Sequence, residues 1–335
     1  MKSPFTGGAT KLEKEPRVLE YRKDTFEILH HYYLCVDTRE QFTTTQIDTL
    51  NINQVHNKYR EKYGIPFTDE IKNIRDKYEL SAAKMSEVLG LGANVYRNYE
   101  AGEMPSVATG RLIRLAEDPE EFRKLLEMSR NSLEQYEYEK VKKKVDHAQS
   151  GEGKRTGMWK GWLFGNEYPN IHNGYRVPCL ERVGNMIRFF AHHNTPFTTA
   201  LNKLMFYADF GHFKKYGQSI SGIYYKALPK GPVPENYGGI YNYVVNTGFA
   251  KVEEKDFGDY VGEQFVADDL VIFDVEHGPF TATELKMMET VSEKFKGWST
   301  RKIVDISHEE PAWKNNMGAR HRISFEYGFE LKNID

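Results

Sequence analysis

Asn94, Arg97 and Asn98 fall in the short stretch Ala93 to Glu100, which follows Gly90-Leu91-Gly92 and closes at Gly102. Asn can pair bidentately with adenine and Arg with guanine in the major groove. Near the N-terminus of a short helix, these residue types are suited to reading base edges. Ser81 and Lys84, one helix earlier, complete the expected DNA-binding set. A second group, Tyr207, Asp209, His212 and His308-Glu309, could be arranged as an acid–base site. Asp209 and His212 are three residues apart and share a helix face. The chain has no H-E-x-x-H, no G-x-S-x-G and no P-loop, so catalysis is not expected. The expectation is instead that Asp209 and His212 make local hydrogen bonds that position the next turn. Gly231-Pro232 reads as a fixed turn and not a phosphate cradle, because no helix N-terminus follows it directly.

Composition limits where such chemistry can sit. The chain has 335 residues, enough for two or three domains, with 39% hydrophobic and 28% charged residues. The formal net charge of -2 excludes a protein coated all over in positive charge, so any nucleic-acid binding belongs to a local module. No apolar run approaches the roughly 20 residues that span a bilayer. Met1-Lys2-Ser3-Pro4 lacks the apolar region of a signal peptide. Cys35 and Cys179 make no disulfide framework, and Cys179 reads as an ordinary thiol. The expectation is a cytoplasmic protein without a membrane partner.

The elements that must position these residues form three blocks and a linker. Residues 1–65 read as a small β-rich unit, with strands at Val18 to Tyr21, Phe26 to Leu29 and His31 to Val36. Residues 66–128 read as a helical bundle, with Ser81 as a helix N-cap, a glycine turn at 90–92 and a further helix opened by Asp118-Pro119. Two short helices around a glycine-containing turn predict a helix-turn-helix. Residues 68–115 hold seven basic and seven acidic side chains, so the module is neutral and its counterion-release contribution is weak. Residues 129–157 read as a linker, with the basic run Lys140 to Lys144 as a solvated helix face and Gln149 to Gly153 flexible by composition. In 158–335, helices are predicted at 180–190, 200–215, 237–245, 280–296 and 299–307. Strands are predicted at 220–225, 249–253 and 263–267. The fold class is mainly α with small β elements.

Lys2-Ser3-Pro4-Phe5-Thr6-Gly7-Gly8 resembles a C-P-x-C-G-G zinc knuckle with both thiolates replaced, and Cys35-Val36-Asp37-Thr38 resembles its second half with one thiol kept. Zinc needs four thiolate or imidazole ligands. Ser3, Thr6 and Thr38 are hydroxyls, so no metal and no other cofactor is expected, and His30 and His31 read as ordinary strand residues. Leu80 to Gly90 resembles the first part of a Cro/repressor-like helix-turn-helix. With Gly90-Leu91-Gly92-Ala93-Asn94-Val95-Tyr96-Arg97-Asn98-Tyr99-Glu100, the region 2–128 is similar to MqsA-type antitoxins. In that family an Asn at the position of Asn94 and an Arg at that of Asn98 read the operator. The chain keeps the first and replaces the second.

Leu201-Asn202-Lys203-Leu204-Met205-Phe206-Tyr207-Ala208-Asp209, then Ile220-Ser221-Gly222, then Gly231-Pro232-Val233, resemble the ordered hallmarks of the SocA-like Panacea domain. Over about 180–315 that resemblance implies an α+β antitoxin domain that blocks a toxin by direct binding. The function expected is a type II antitoxin that neutralises a co-encoded protein toxin and represses its own operon as a homodimer on operator DNA. The expected toxin-binding set is Tyr207, Asp209, His212, Lys230, Gly231, Pro232 and Tyr237. The alternative is a transcription regulator or proteolysis adapter whose second half binds a partner other than a toxin.

Overall fold

Thr10–Tyr21 (β1) and Asp24–Cys35 (β2) pair antiparallel along their whole length, from Thr10 opposite Cys35 to Tyr21 opposite Asp24. The connecting residues Arg22 and Lys23 both have positive φ, 50° and 72°. Both central residues of a type I′ turn require that region, which Asn-Gly adopts with least strain. The turn therefore carries no glycine signal in the sequence. The short β3, Gln41–Phe42, extends the sheet in the order β1-β2-β3. The computed structural model describes residues 1–149, 159–165, 167–259, 261–267, 273–276, 278–318 and 321–334.

The block read as purely β-rich also contains a 19-residue helix, α1, Thr45–Tyr63. Its buried side includes Asn51, Gln54 and Arg60 beside Ile47, Leu50, Val55 and Tyr59, so the apolar period is broken by polar residues. Those amides replace a strand. Asn51 Nδ2 donates to His31 O and its Oδ1 accepts from His31 N, both at 2.9 Å. Gln54 does the same with Leu29, at 2.9 and 3.1 Å, and Lys58 Nζ donates to Glu27 O. The outer edge of β2 is thereby closed to other strands. Phe26, Ile28, Val55, Tyr59, Ile65 and Met104 form the core beneath it.

The helices that follow are α2 (Thr68–Asp76), α3 (Ala82–Val88), α4 (Val95–Glu100), α5 (Val107–Leu115) and α6 (Pro119–Met128). Ser81, Ser106 and Asp118 cap α3, α5 and α6 through their side-chain oxygens. The segment expected as linker is helical as far as Gln149: α7, Gln135–Gln149, buries Tyr138, Val141 and Val145 in the same core as Ile71, Tyr78, Met85 and Phe122. The spacing of those three residues makes one helix face, and Lys140 and Lys143 are exposed on the other. The remaining linker residues, 150–157, lie outside the described residues.

The chain divides into two compact units, residues 1–158 and 159–335. The second is organised around the helix Thr198–Tyr216, in which every residue from Ala200 to Phe213 is buried. One core face was expected, yet this helix is enclosed on all sides and buries Asn202, Lys203, Asp209 and His212 along with its apolar residues. The helices Leu180–Asn194, Ala282–Phe295 and Thr300–Ser307 surround it. The strand expected at 220–225 is instead a bend at Ile220 and Ser221 followed by a loop through Gly222, whose φ is 78°, and Tyr224 O accepts from Glu235 N. The strands are Tyr225–Leu228 (β4) and Gly231–Pro234 (β5), joined across Pro229-Lys230. Pro232 and Pro234 sit in this ladder at positions whose backbone faces outward, where no N–H is needed. Lys251–Asp256 (β6) and Val261–Val266 (β7) form a second hairpin. The result is mainly helical with small antiparallel sheets, as the sequence predicts.

Candidate functional site

Asp209 is fully buried and its carboxylate gathers four donors. Oδ1 accepts from the backbone N–H of Ile220 (2.8 Å) and of Ser221 (2.7 Å), and Oδ2 accepts from the hydroxyls of Ser221 and Tyr225. Burial pushes this carboxyl upward, against hydrogen bonds that favour its ionised form. Gly222 follows at φ 78°, and a Cβ there would stand 2.7 Å from Arg176 O. Only glycine fits that turn.

Nearly two turns earlier on the same helix, Lys203 has 0% exposure and donates from Nζ to Pro232 O at 3.0 Å. Burial, with a smaller contribution from the Lys230 charge, lowers its amine to about 7. Gly231 has φ 101°, and a Cβ there would lie 2.6 Å from Lys203 Cε and 2.5 Å from Ser307 Oγ. The turn therefore rests directly on the lysine. Two side chains of one helix, Asp209 and Lys203, thus fix the two loops that carry the other sequence hallmarks.

Tyr207 donates to Glu310 Oε1 (3.3 Å), and the same carboxylate accepts from Lys332 N (3.0 Å) and Asn333 Nδ2 (2.7 Å), tying down the C-terminal segment. His212 donates from Nδ1 to Gln218 O (2.6 Å) and accepts at Nε2 from Thr283 Oγ1 (3.2 Å). Burial lowers its pKa to about 4, so the ring is neutral at cellular pH. Of the seven residues of the expected toxin-binding set, Lys230 is exposed and Tyr237 half-buried, while Tyr207, Asp209, His212, Gly231 and Pro232 are buried. The buried five act on the shape of the surface from within. Glu310 and Arg322 escaped the sequence reading. The signal available for Glu310 was its place just before Pro311, where it precedes a helix. Arg322 stacks on Tyr224 at 3.6 Å and bonds Glu235 and Glu167, beside a cavity of about 230 Å³ that Trp162 and Asn236 also line.

In the first unit, Tyr96 and Tyr99 bury one side of α4, and Asn94, Arg97 and Asn98 are exposed together on the other. Tyr96 anchors it: its hydroxyl donates to Ile71 O (2.7 Å) and its N–H to Ser86 Oγ (3.1 Å). Ser81 and Lys84 are placed differently. The Ser81 oxygen accepts the Lys84 N–H as a helix cap, and Lys84 Nζ is held between Glu87 (2.6 Å) and Glu137 (2.8 Å).

The four knuckle positions converge. Cys35 is buried, and hydrogen bonds from the Ser3 and Thr38 side chains, the Thr38 backbone and the Thr6 side chain pull its thiol down to about 6. The Thr6 hydroxyl lies 3.7 Å from Sγ. One thiolate and three neutral hydroxyls do not fit a zinc ion, which needs thiolate, imidazole or carboxylate ligands. Here the Ser3 and Thr38 groups take the metal's place around the sulfur, while the Thr6 hydroxyl donates to Asp37 Oδ2 at 2.7 Å. His31 is buried and lowered to about 4 by desolvation, and His30 accepts from Arg17.

Residues 201–314 match the family model described as antitoxin SocA-like, Panacea domain. That segment of the second unit is therefore similar to SocA-like antitoxin domains, and it contains both Asp209 and Lys203. No curated protein and no solved structure matches the chain.

Proposed function

We propose that the chain is the antitoxin of a toxin–antitoxin pair, acting by direct protein binding from its second unit. The observation that carries this reading is the family match over 201–314, which spans the helix and both loops that Asp209 and Lys203 hold together. Asp209, His212 and Lys203 are each committed to structural hydrogen bonds, which favours a binding protein over an enzyme. The exposed Asn94, Arg97 and Asn98 support a second role, in which the first unit binds operator DNA as a homodimer and represses the operon. No helix among the described residues is long and apolar enough to cross a membrane, in keeping with work in the cytoplasm.

The test is co-expression with the protein encoded by the adjacent reading frame. Growth arrest by that protein alone, relieved by the full chain and by a folded 159–335 fragment, is the expected result. Rescue by the full chain and not by the folded fragment would place neutralisation partly in the first unit. An adjacent product that neither arrests growth nor binds the chain would overturn the antitoxin reading.

A further inference from the structure

Several strand edges among the described residues are blocked at one or more positions. Gln54 and Asn51 cover β2, and β1 carries Pro16 opposite Leu29, at a position whose backbone faces outward. On β4, Tyr225 O accepts from Ile323 N, and β5 contains Pro232 and Pro234. The outer side of β7 is occupied where Phe265 N–H donates to Pro196 O and Gln264 bridges Phe197. The outer edge of β6 has no proline and no backbone partner among the described residues.

The register fixes which groups face outward there. Because Phe265 N–H points away from β6, its partner Val252 also points away from β7, and so do Glu254 and Asp256 at the alternate positions. These three residues offer their N–H and C=O groups to a further strand. The side chains add a second, independent signal. Glu254 stands directly opposite Glu263, at the kind of pair that brings side chains closest. Like charges so placed destabilise a hairpin. Neither has an ion-pair partner among the described residues. Glu263 Oε2 accepts only from Thr198 Oγ1 at 3.3 Å, and the nearby Lys255 is turned to Glu253 at 2.9 Å. Asp256 lies on the same face as this acidic pair.

We infer that the outer edge of β6 receives an extended, Lys- or Arg-bearing segment of the toxin as an added strand. This rests on the antitoxin reading and names the surface it uses. A residue of the incoming strand opposite Glu254 puts its side chain on the face that holds Glu254 and Glu263. A cation there meets two carboxylates at once, while the backbone groups of Val252, Glu254 and Asp256 are paired.

The experiment measures binding of the adjacent-frame product to the full chain and to three variants, with circular dichroism melts on each. Glu254→Pro removes an outward N–H and no ladder bond to β7, so the melt stays at wild type. Its affinity is expected to fall about tenfold or more, since strand addition loses a hydrogen bond and meets a steric block. Glu254→Gln and Glu263→Gln are expected to weaken binding and to flatten its salt dependence, and they decide the matter if the proline variant fails to fold. Wild-type binding matched by all folded variants would overturn the edge assignment and leave the antitoxin reading standing. Absence of binding by the wild-type chain would overturn both.

Discussion

The Tyr225 hydroxyl donates to Asp209 Oδ2 at 2.7 Å, with both groups fully buried. Tyr225 opens β4 and Asp209 sits in the central helix, so this bond locks the β4–β5 hairpin to the helix that carries Lys203. Asp209 serves as the acceptor for two backbone amides and two hydroxyls that have no water to turn to. Its burial is offset by the completeness of that set.

Asp209→Ala leaves all four donors unsatisfied in the interior. At about 1–3 kcal/mol for each buried orphan, the loss reaches the scale of a domain's whole stability. Tyr225→Phe removes one donor and keeps the ring, so a cost of about 1–2 kcal/mol is expected. Chemical denaturation of the 159–335 fragment checks both. Equal stability of Asp209→Ala and wild type would refute the role assigned to the carboxylate.

Lys203 makes stability depend on pH in a defined direction. Its amine is lowered from 10.5 to about 7 by burial, so between those values the unfolded chain binds more protons than the folded one. Stability therefore rises with pH across that window, and the full cost of burying the charge is felt below it. Lys203→Met removes the titration. The stability of wild type minus that of Lys203→Met is expected to increase steadily from pH 6.5 to pH 10. A difference that stays flat over the range contradicts a neutral buried amine.

How much of this was legible depended on whether the packing partner was apolar. The helix Thr198–Tyr216 was evident from its apolar density, and the importance of Asp209 and Gly231 from their place in ordered motifs. That Asp209 would position the turn after it was also readable, because the acceptor and the loop are only 11 or 12 residues apart. The burial of Lys203 was not, since its acceptor is a single carbonyl 29 residues away and no carboxylate marks the site. Helix α1 escaped because Asn51, Gln54 and Arg60 occupy core-facing positions where periodicity looks for hydrocarbons. Asn51 and Gln54 bond backbone groups of β2 and Arg60 donates to Pro66 O, and backbone groups leave no trace in a sequence pattern.

Those amides make a prediction of their own. Asn51→Leu and Gln54→Leu keep the volume and remove both hydrogen bonds to His31 and to Leu29. Each is expected to cost about 2–4 kcal/mol, because one N–H and one C=O of β2 lose their partner at every site. The double variant also reopens the strand edge, so faster aggregation on mild heating is expected, followed by light scattering. Variants as stable and as soluble as wild type would show that α1 merely leans on the sheet.

The knuckle region predicts a protein that purifies without stoichiometric zinc, because its donor set is one thiolate and three hydroxyls. Cys35 is lowered from 9.0 to about 6 by its hydroxyl donors, so the folded state favours the thiolate. The stability this contributes is fully present above the unfolded value and is lost as pH falls through about 6. Cys35→Ala is therefore expected to lose more stability relative to wild type at pH 9 than at pH 6. Elemental analysis that finds one zinc per chain, released together with unfolding, would falsify the metal-free account.

The exposed side of α4 is the last test, of the proposed DNA binding. Asn94, Arg97 and Asn98 share the exposed side of a helix whose other side is pinned by the Tyr96 and Tyr99 rings, so substitution there leaves the core untouched. Lys84 is neutralised by Glu87 and Glu137, and residues 68–115 have balanced charge. Little of any affinity can then come from phosphate attraction, and base contacts in two half-sites of a dimer must supply it. Asn94→Ala and Arg97→Ala are each expected to cost about 1–3 kcal/mol on DNA from the gene's own promoter region, at particular base pairs. Lys84→Ala is expected to change little, since it removes a charge already compensated. Gel-shift titrations on that DNA, with scrambled sequence as the control, distinguish the cases. Wild-type affinity in both the Asn94 and the Arg97 variants, or a larger loss in the Lys84 variant, would move DNA binding away from this face or remove it from the protein's functions.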